Sequence, residues 1–177
     1  VADVLAAVRR LAGISGHAAE GEALAARLAA RLRRVERAVA GLAPDERPRV
    51  FLEVWDRPLM TAGPGSFQGQ LLALAGGTNL FADVAGRWVA VSPEAVLARD
   101  PEVILTAARP GGPAAVADFA ARPGWARLAA VRSGRVHALD GDLLSRPGPR
   151  LAEALERMAA HLHPGLFPAA PPAGEGR

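Results

Sequence analysis

The sequence predicts an α/β fold: a three-layer lobe with a mainly parallel sheet, preceded by one long helix. Three observations carry this. Short apolar runs suited to buried strands, at residues 50–54, 103–106 and 135–139, alternate with stretches of helical periodicity. Ser66 and Ser92 stand where helices should begin. Residues 17–41 hold one unbroken amphipathic pattern.

The elements follow in order. Val1, Leu5, Val8 and Leu11 recur at helical spacing from the first residue. Residue 1 is Val, and no basic-then-apolar leader pattern occurs, so an upstream segment is expected. From His17 to Gly41, Leu24, Leu28, Leu32, Val35, Val39 and Leu42 form one stripe, with Arg27, Arg31, Arg34 and Arg37 largely opposite. At 1.5 Å per residue such a helix spans roughly 37 Å, about a domain's width, and suits a strut. Gly41, Pro44 and Pro48 end it. Strand 50–54 follows, then a Ser66-capped helix stopping at Gly76-Gly77. Val89 and Val91 give a short extended piece. Ser92 caps the next helix, Pro93 suits its first position, and Glu94 meets its positive end. After strand 103–106, helix is expected over 113–121 and 125–130. Strand 135–139 leads to a last helix over 149–162, with Leu151, Leu155, Met158 and Leu162 on its buried face and Glu153–Arg157 paired outside. Residues 169–177, rich in Pro, Gly and Ala, are expected to be disordered.

Composition excludes several classes. Half of the 177 residues are hydrophobic, yet no apolar run is long enough for a membrane span. The net charge is +3, and all 21 basic residues are Arg. That raises the isoelectric point without creating a basic patch, because acids are interspersed; no nucleic-acid partner is expected. With no Cys, disulfides and thiolate metal sites are excluded. Residues 63–69, Gly-Pro-Gly-Ser-Phe-Gln-Gly, look like a dinucleotide loop, but the third Gly falls late and Pro64 removes an amide; a plain helix start fits better. The histidines His17, His137, His161 and His163 have no metal-ligand spacing. Glu53, inside an apolar strand, suits a paired carboxylate better than a general base. No catalytic constellation emerges, so the chain is not read as an enzyme.

Three segments stand apart. Residues 55–61 follow the first strand, Trp88 precedes the Ser92 helix, and residues 140–150 follow the last strand. In a doubly wound lobe, loops beyond strand C-termini converge on one rim. Large aromatics with a few polar anchors there suit a big, flat, partly polar ligand.

The chain also resembles a known family. The ordered motifs are Pro48-Arg-Val-Phe-Leu-Glu-Val54, Pro58-x-x-Thr61-Ala-Gly, Gly76-Gly77-x-Asn79-Leu-Phe, Val91-Ser-x-Glu94-x-Val-Leu-x-x-x-Pro101-x-Val-Ile and Arg146-Pro-Gly-Pro-Arg150-Leu. Together they resemble the C-terminal lobe of the substrate-binding proteins of ABC importers for vitamin B12, haem and iron siderophores, nearest to the cobalamin-binding members. The resemblance implies two Rossmann-like lobes joined by a long helix, with ligand in the cleft. Residues 1–43 would be the end of the first lobe and the linking helix, and 44–168 the ligand-binding lobe. It implies a periplasmic, non-catalytic carrier with no cofactor of its own, handing cobalamin or a related metal chelate to a dimeric ABC permease. Glu94 matches the acid that docks on the permease. Trp88 matches an aromatic that packs on the corrin ring, and Asp142 and Arg146 match polar residues meeting its side chains. Met60 and Val54 stand where the cobalamin-binding members carry aromatics, with Trp55 beside Val54. Alternatives are a haem or ferric-siderophore carrier of the same fold, a chelatase-like metal-insertion enzyme with His137 as its metal handle, and a ligand-free sensor domain. No Tyr is present to ligate haem iron.

Overall fold

A computed structural model describes residues 1–108 and 116–167. Helix α1 (Ala2–Ile14) and the long α2 (Ala18–Val39) come first. The sheet region then runs β1 (Arg49–Asp56), β2 (Leu59–Ala62), α3 (Phe67–Leu74), β3 (Thr78–Asn79), β4 (Trp88–Ala90), α4 (Pro93–Arg99) and β5 (Val103–Ala108). It closes with α5 (Val116–Ala120), α6 (Ala129–Arg132), β6 (Val136–Asp140), α7 (Gly141–Ser145) and α8 (Leu151–Leu162). The strand order is β4-β2-β1-β5-β6, with β3 also paired to β1.

The predicted α/β lobe is present. β1, β3, β5 and β6 are parallel; β2 pairs antiparallel with β1 and with β4. The expectation of a loop over 55–61 is therefore corrected. Arg57-Pro58 makes a two-residue turn, and Leu59–Ala62 folds back as a strand on β1. The loop expected over 140–150 likewise contains α7, because the Asp140 carboxylate accepts from the Asp142 amide at 2.9 Å and starts a helical turn. The helix expected over 125–130 divides into a 3-10 turn, Trp125–Arg127, and α6. Residues 113–115 and the tail 169–177 lie outside the described residues.

The central strands are buried on both faces, as parallel strands under helices must be. Val50, Leu52, Val103 and Leu105 point into a core shared with α2, α3, α7 and α8; Phe51, Ile104 and Val136 point into a second core with α4, α5 and α6. The caps work as predicted. Ser66 Oγ accepts from Gly69 N–H at 2.9 Å, and Ser92 Oγ from Ala95 N–H at 3.1 Å.

The stripe on α2 buries Leu28, Leu32, Val35 and Val39. Its Arg face is not wholly solvated: Arg31 Nη2 and Arg34 Nη2 both reach Glu156 on α8, at 2.6 and 2.8 Å. Those guanidinium groups hold the Glu156 carboxyl below its usual range. By contrast α1 has no fully buried residue, and Leu11 and Ile14 are exposed. Among the described residues, no helix is long and apolar enough to cross a membrane.

Candidate functional site

The C-terminal ends of β1, β5 and β6 share one rim, since Glu53 pairs with Thr106 and Ala108 with Asp140. A cleft of about 1130 Å³ opens there. The strand ends contribute Glu53, Trp55, Asp56, Thr106 and Asp140; α4 contributes Pro93 and Glu94; α7 contributes Asp142 and Ser145. The far wall is Asp118, Phe119, Arg122 and Trp125.

The sequence-predicted residues divide into two groups. Trp55, Glu94 and Asp142 line the cleft. Met60, Trp88 and Arg146 are not among its lining residues. Trp88 and Glu94 lie at opposite ends of β4: Trp88 opens the strand opposite Ala62, and Glu94 follows its other end. Strand register nonetheless joins Trp88 to the other aromatic. Trp55 pairs with Met60, Met60 pairs with Ala90, and Trp88 lies two residues from Ala90. Cross-strand partners and alternate residues share a face. Trp55, Met60 and Trp88 thus form one face beside the cleft, with the two Trp residues 53% and 59% exposed. Trp55 Nε1–H donates to the Arg57 carbonyl at 2.8 Å. Arg146, exposed on the turn after α7, is 3.4 Å from the Asp142 carboxylate. The Asp142 amide, and then Arg150, hold the Asp140 carboxyl below its usual range.

Sequence reasoning missed the far wall. Glu53, 5% exposed, is paired as expected, but its partner is Arg122, from 69 residues away. The Arg122 guanidinium lies 4.1 Å from the Phe119 ring centroid and 4.7 Å from that of Trp125. The clue available in the sequence was a Glu in an otherwise apolar strand, which demands a cation nearby.

The glycine loop is a plain helix start. Ser66 Oγ–H donates to the Gly63 carbonyl at 2.7 Å, and a Cβ on Gly69 would meet that carbonyl oxygen at 2.3 Å. Gly69 is therefore required for close packing. The histidines lie outside the cleft: His137 and His161 stack with centroids 4.3 Å apart, and His163 Nε2 is 3.3 Å from the Gly76 carbonyl. Among the described residues, no group of three or more His, Cys, Asp or Glu is placed to hold a metal.

Known proteins agree with this architecture. The chain is 34% identical over 137 residues to YvrC, an ABC transporter substrate-binding lipoprotein of Bacillus subtilis (strain 168), covering 77% of this chain and 42% of the relative. It is 35% identical over 115 residues to the vitamin B12-binding protein of Vibrio cholerae serotype O1 (strain ATCC 39541 / Classical Ogawa 395 / O395), covering 64% and 40%. The periplasmic haem-binding protein RhuT from Roseiflexus sp. RS-1 superposes with a TM-score of 0.78 at 27% identity, covering 92% of this chain and 62% of that one. The chain thus spans about two-fifths of the length of those two sequence relatives. A family model described as periplasmic binding protein matches residues 1–143. With that match extending from α1 through β6 into α7, the chain belongs to the periplasmic binding protein family.

Proposed function

We propose that this chain is the linking helix and ligand-binding lobe of a non-catalytic, extracytoplasmic carrier that delivers a corrinoid to an ABC permease. The observation that carries this reading is the rim. A cleft of about 1130 Å³ exceeds the roughly 300–1,000 Å³ of ordinary small-molecule pockets. Beside it, two exposed Trp residues share a face. Flat aromatic surface beside polar anchors suits a macrocycle bearing amide side chains. Asp142 and Arg146 are the proposed anchors, with Trp55, Met60 and Trp88 packing against the ring. The relative named for vitamin B12 binding supports this ligand class. The RhuT likeness keeps haem as the second reading. A chelatase reading lacks support, since no His lines the cleft among the described residues.

Titration of the complete two-lobed protein with cyanocobalamin, followed by Trp fluorescence, is expected to show quenching at micromolar ligand. Trp88→Ala is expected to weaken both quenching and affinity. An unquenched titration would rule out the corrinoid.

Glu94 is the proposed docking acid: it is exposed, at a helix start, and at the cleft mouth. An exposed carboxylate steers association and pairs with a cationic pocket. Glu94→Ala is expected to lower uptake through the cognate permease by about tenfold or more, with ligand affinity held within about twofold. Undiminished uptake would remove Glu94 from docking, and a parallel loss of ligand affinity would reassign it to the cleft.

A further inference from the structure

We propose that Arg122 is a ligand-recognition residue, its guanidinium pre-set in the cleft to receive an oxygen acceptor on the bound molecule: an amide carbonyl, a carboxylate or a phosphate. This deepens the carrier function proposed above and rests on it.

The side chain is fixed in every direction but one. Its Nη1 and Nη2 donate to the two Glu53 carboxylate oxygens, the second at 3.1 Å. Thr106 Oγ1–H donates to the same carboxylate at 3.3 Å, which anchors the acceptor. The rings of Phe119 and Trp125 hold the guanidinium plane. The backbone supports this clamp. Arg122 N–H donates to the Phe119 carbonyl at 3.2 Å and Trp125 N–H to the Arg122 carbonyl at 3.0 Å. Gly124 supplies the left-handed turn, at φ +79°, that brings Trp125 back beside Arg122.

The remaining direction is the cleft. A guanidinium carries five N–H donors. Glu53 engages two, and the others have no acceptor among the described residues. The Arg122 side chain is 28% exposed and lines the cleft.

A purely structural role explains this poorly. Glu53 follows Phe51 and Leu52 on a buried strand, where an apolar pair commonly stabilises as well as an ion pair. Such a pair does supply rigid, directional donors at low reorganisation cost. Because Glu53 balances its charge, Arg122 selects by geometry more than by net attraction. Asp118, Asp140, Asp142 and Glu94 also line the cleft and disfavour small free anions. The acceptor is therefore one group of a larger ligand whose body is held elsewhere along the cleft.

The test measures the affinity of the complete two-lobed protein and its Arg122→Lys variant for three probes: cyanocobalamin, haemin and ferrioxamine. Lysine keeps the charge but loses the planar fork and the ring stacking. For whichever probe the unaltered protein binds, the variant is expected to lose about ten- to hundredfold in affinity, the weight of a charge-assisted hydrogen bond. If that probe is cyanocobalamin, dicyanocobinamide, which lacks the nucleotide-loop phosphate, identifies the acceptor. A loss that vanishes with cobinamide assigns the phosphate, and one that persists assigns an amide carbonyl. Glu53→Gln separates positioning from contact, since it keeps the Arg122 side chain while loosening its clamp: thermal stability is expected to fall further in Glu53→Gln, and affinity further in Arg122→Lys. Unchanged affinity in Arg122→Lys, or affinity losses that follow stability in both variants, overturns the role of Arg122 and leaves the carrier reading standing. Loss of haemin or ferrioxamine binding in Arg122→Lys, with no cobalamin binding by the unaltered protein, supports Arg122 and overturns the corrinoid. Binding of none of the three overturns both.

Discussion

Replacing Trp125 with alanine is expected to cost about 3–5 kcal/mol of folding stability. Trp125 is 1% exposed and central to the second core, edge-on to Phe51 at 5.9 Å and tilted against Phe119 at 5.8 Å. Truncation would remove a large buried surface and leave a void beside β1 that flanking rings cannot fill without leaving their rotamers. The cavity would also take away one of the two rings holding Arg122, so ligand affinity should fall in the same variant. Urea unfolding provides the check: the midpoint should drop with little change in slope. A loss below about 1 kcal/mol would show that Trp125 is not a core anchor.

Acidification is the second large effect. Burial, then His161 and Arg135, push His137 down to about 4 from 6.5. Burial and Arg157 lower His161; burial lowers His163 despite its contact with the Gly76 carbonyl. All three are therefore more readily protonated in the unfolded chain than in the folded one. The unfolded state then binds more protons below pH 6.5, so stability is full above that value and is lost as pH falls towards 4. For half-buried His137 alone, discounted for solvent screening, the loss is on the order of 1–2 kcal/mol. Unfolding free energies should decline steadily from pH 7 to about 4.5, above the range of most carboxylates. The double variant His137→Gln/His161→Gln should flatten that decline. An identical slope in the variant would show that the stacked pair is not its source.

Legibility in the sequence followed the range of the interactions involved. Strands β1 and β5 declared themselves through apolar runs broken only by Glu53 and Thr106, and Ser66 and Ser92 through capping chemistry that acts within three residues. β2 did not, because Leu59–Ala62 is too short to show alternation, and its pairing is set by partners on β1 and β4. At the site, Trp55 and Asp142 were predictable because the C-terminal ends of parallel strands meet at a rim, whereas Glu94 was singled out as a docking acid and reaches the cleft from α4, after the antiparallel β4. The position of Trp88 was not legible, since chain order alone does not reveal that β4 runs antiparallel to β2 and sets Trp88 opposite Ala62. Arg122 was hidden by Pro123 and Gly124, which read as loop punctuation, while its partner lies 69 residues away. The partner of Arg31 and Arg34, placed opposite the apolar stripe, was hidden for the same reason: Glu156 belongs to a helix more than 120 residues later.

That last contact determines how force travels. With Glu156 gripping two arginines and five apolar residues of α2 buried, the long helix is fastened to α8 and is expected to turn with the sheet as one lever. A rotation of α2 is therefore expected to carry α8 and the sheet with it. The helix before it is held as closely: across the turn at Gly16, Arg9 pairs with Glu22 at 2.6 Å, and a Cβ on Gly21 would meet Ala12 Cβ at 2.1 Å, so α1 is expected to move with α2.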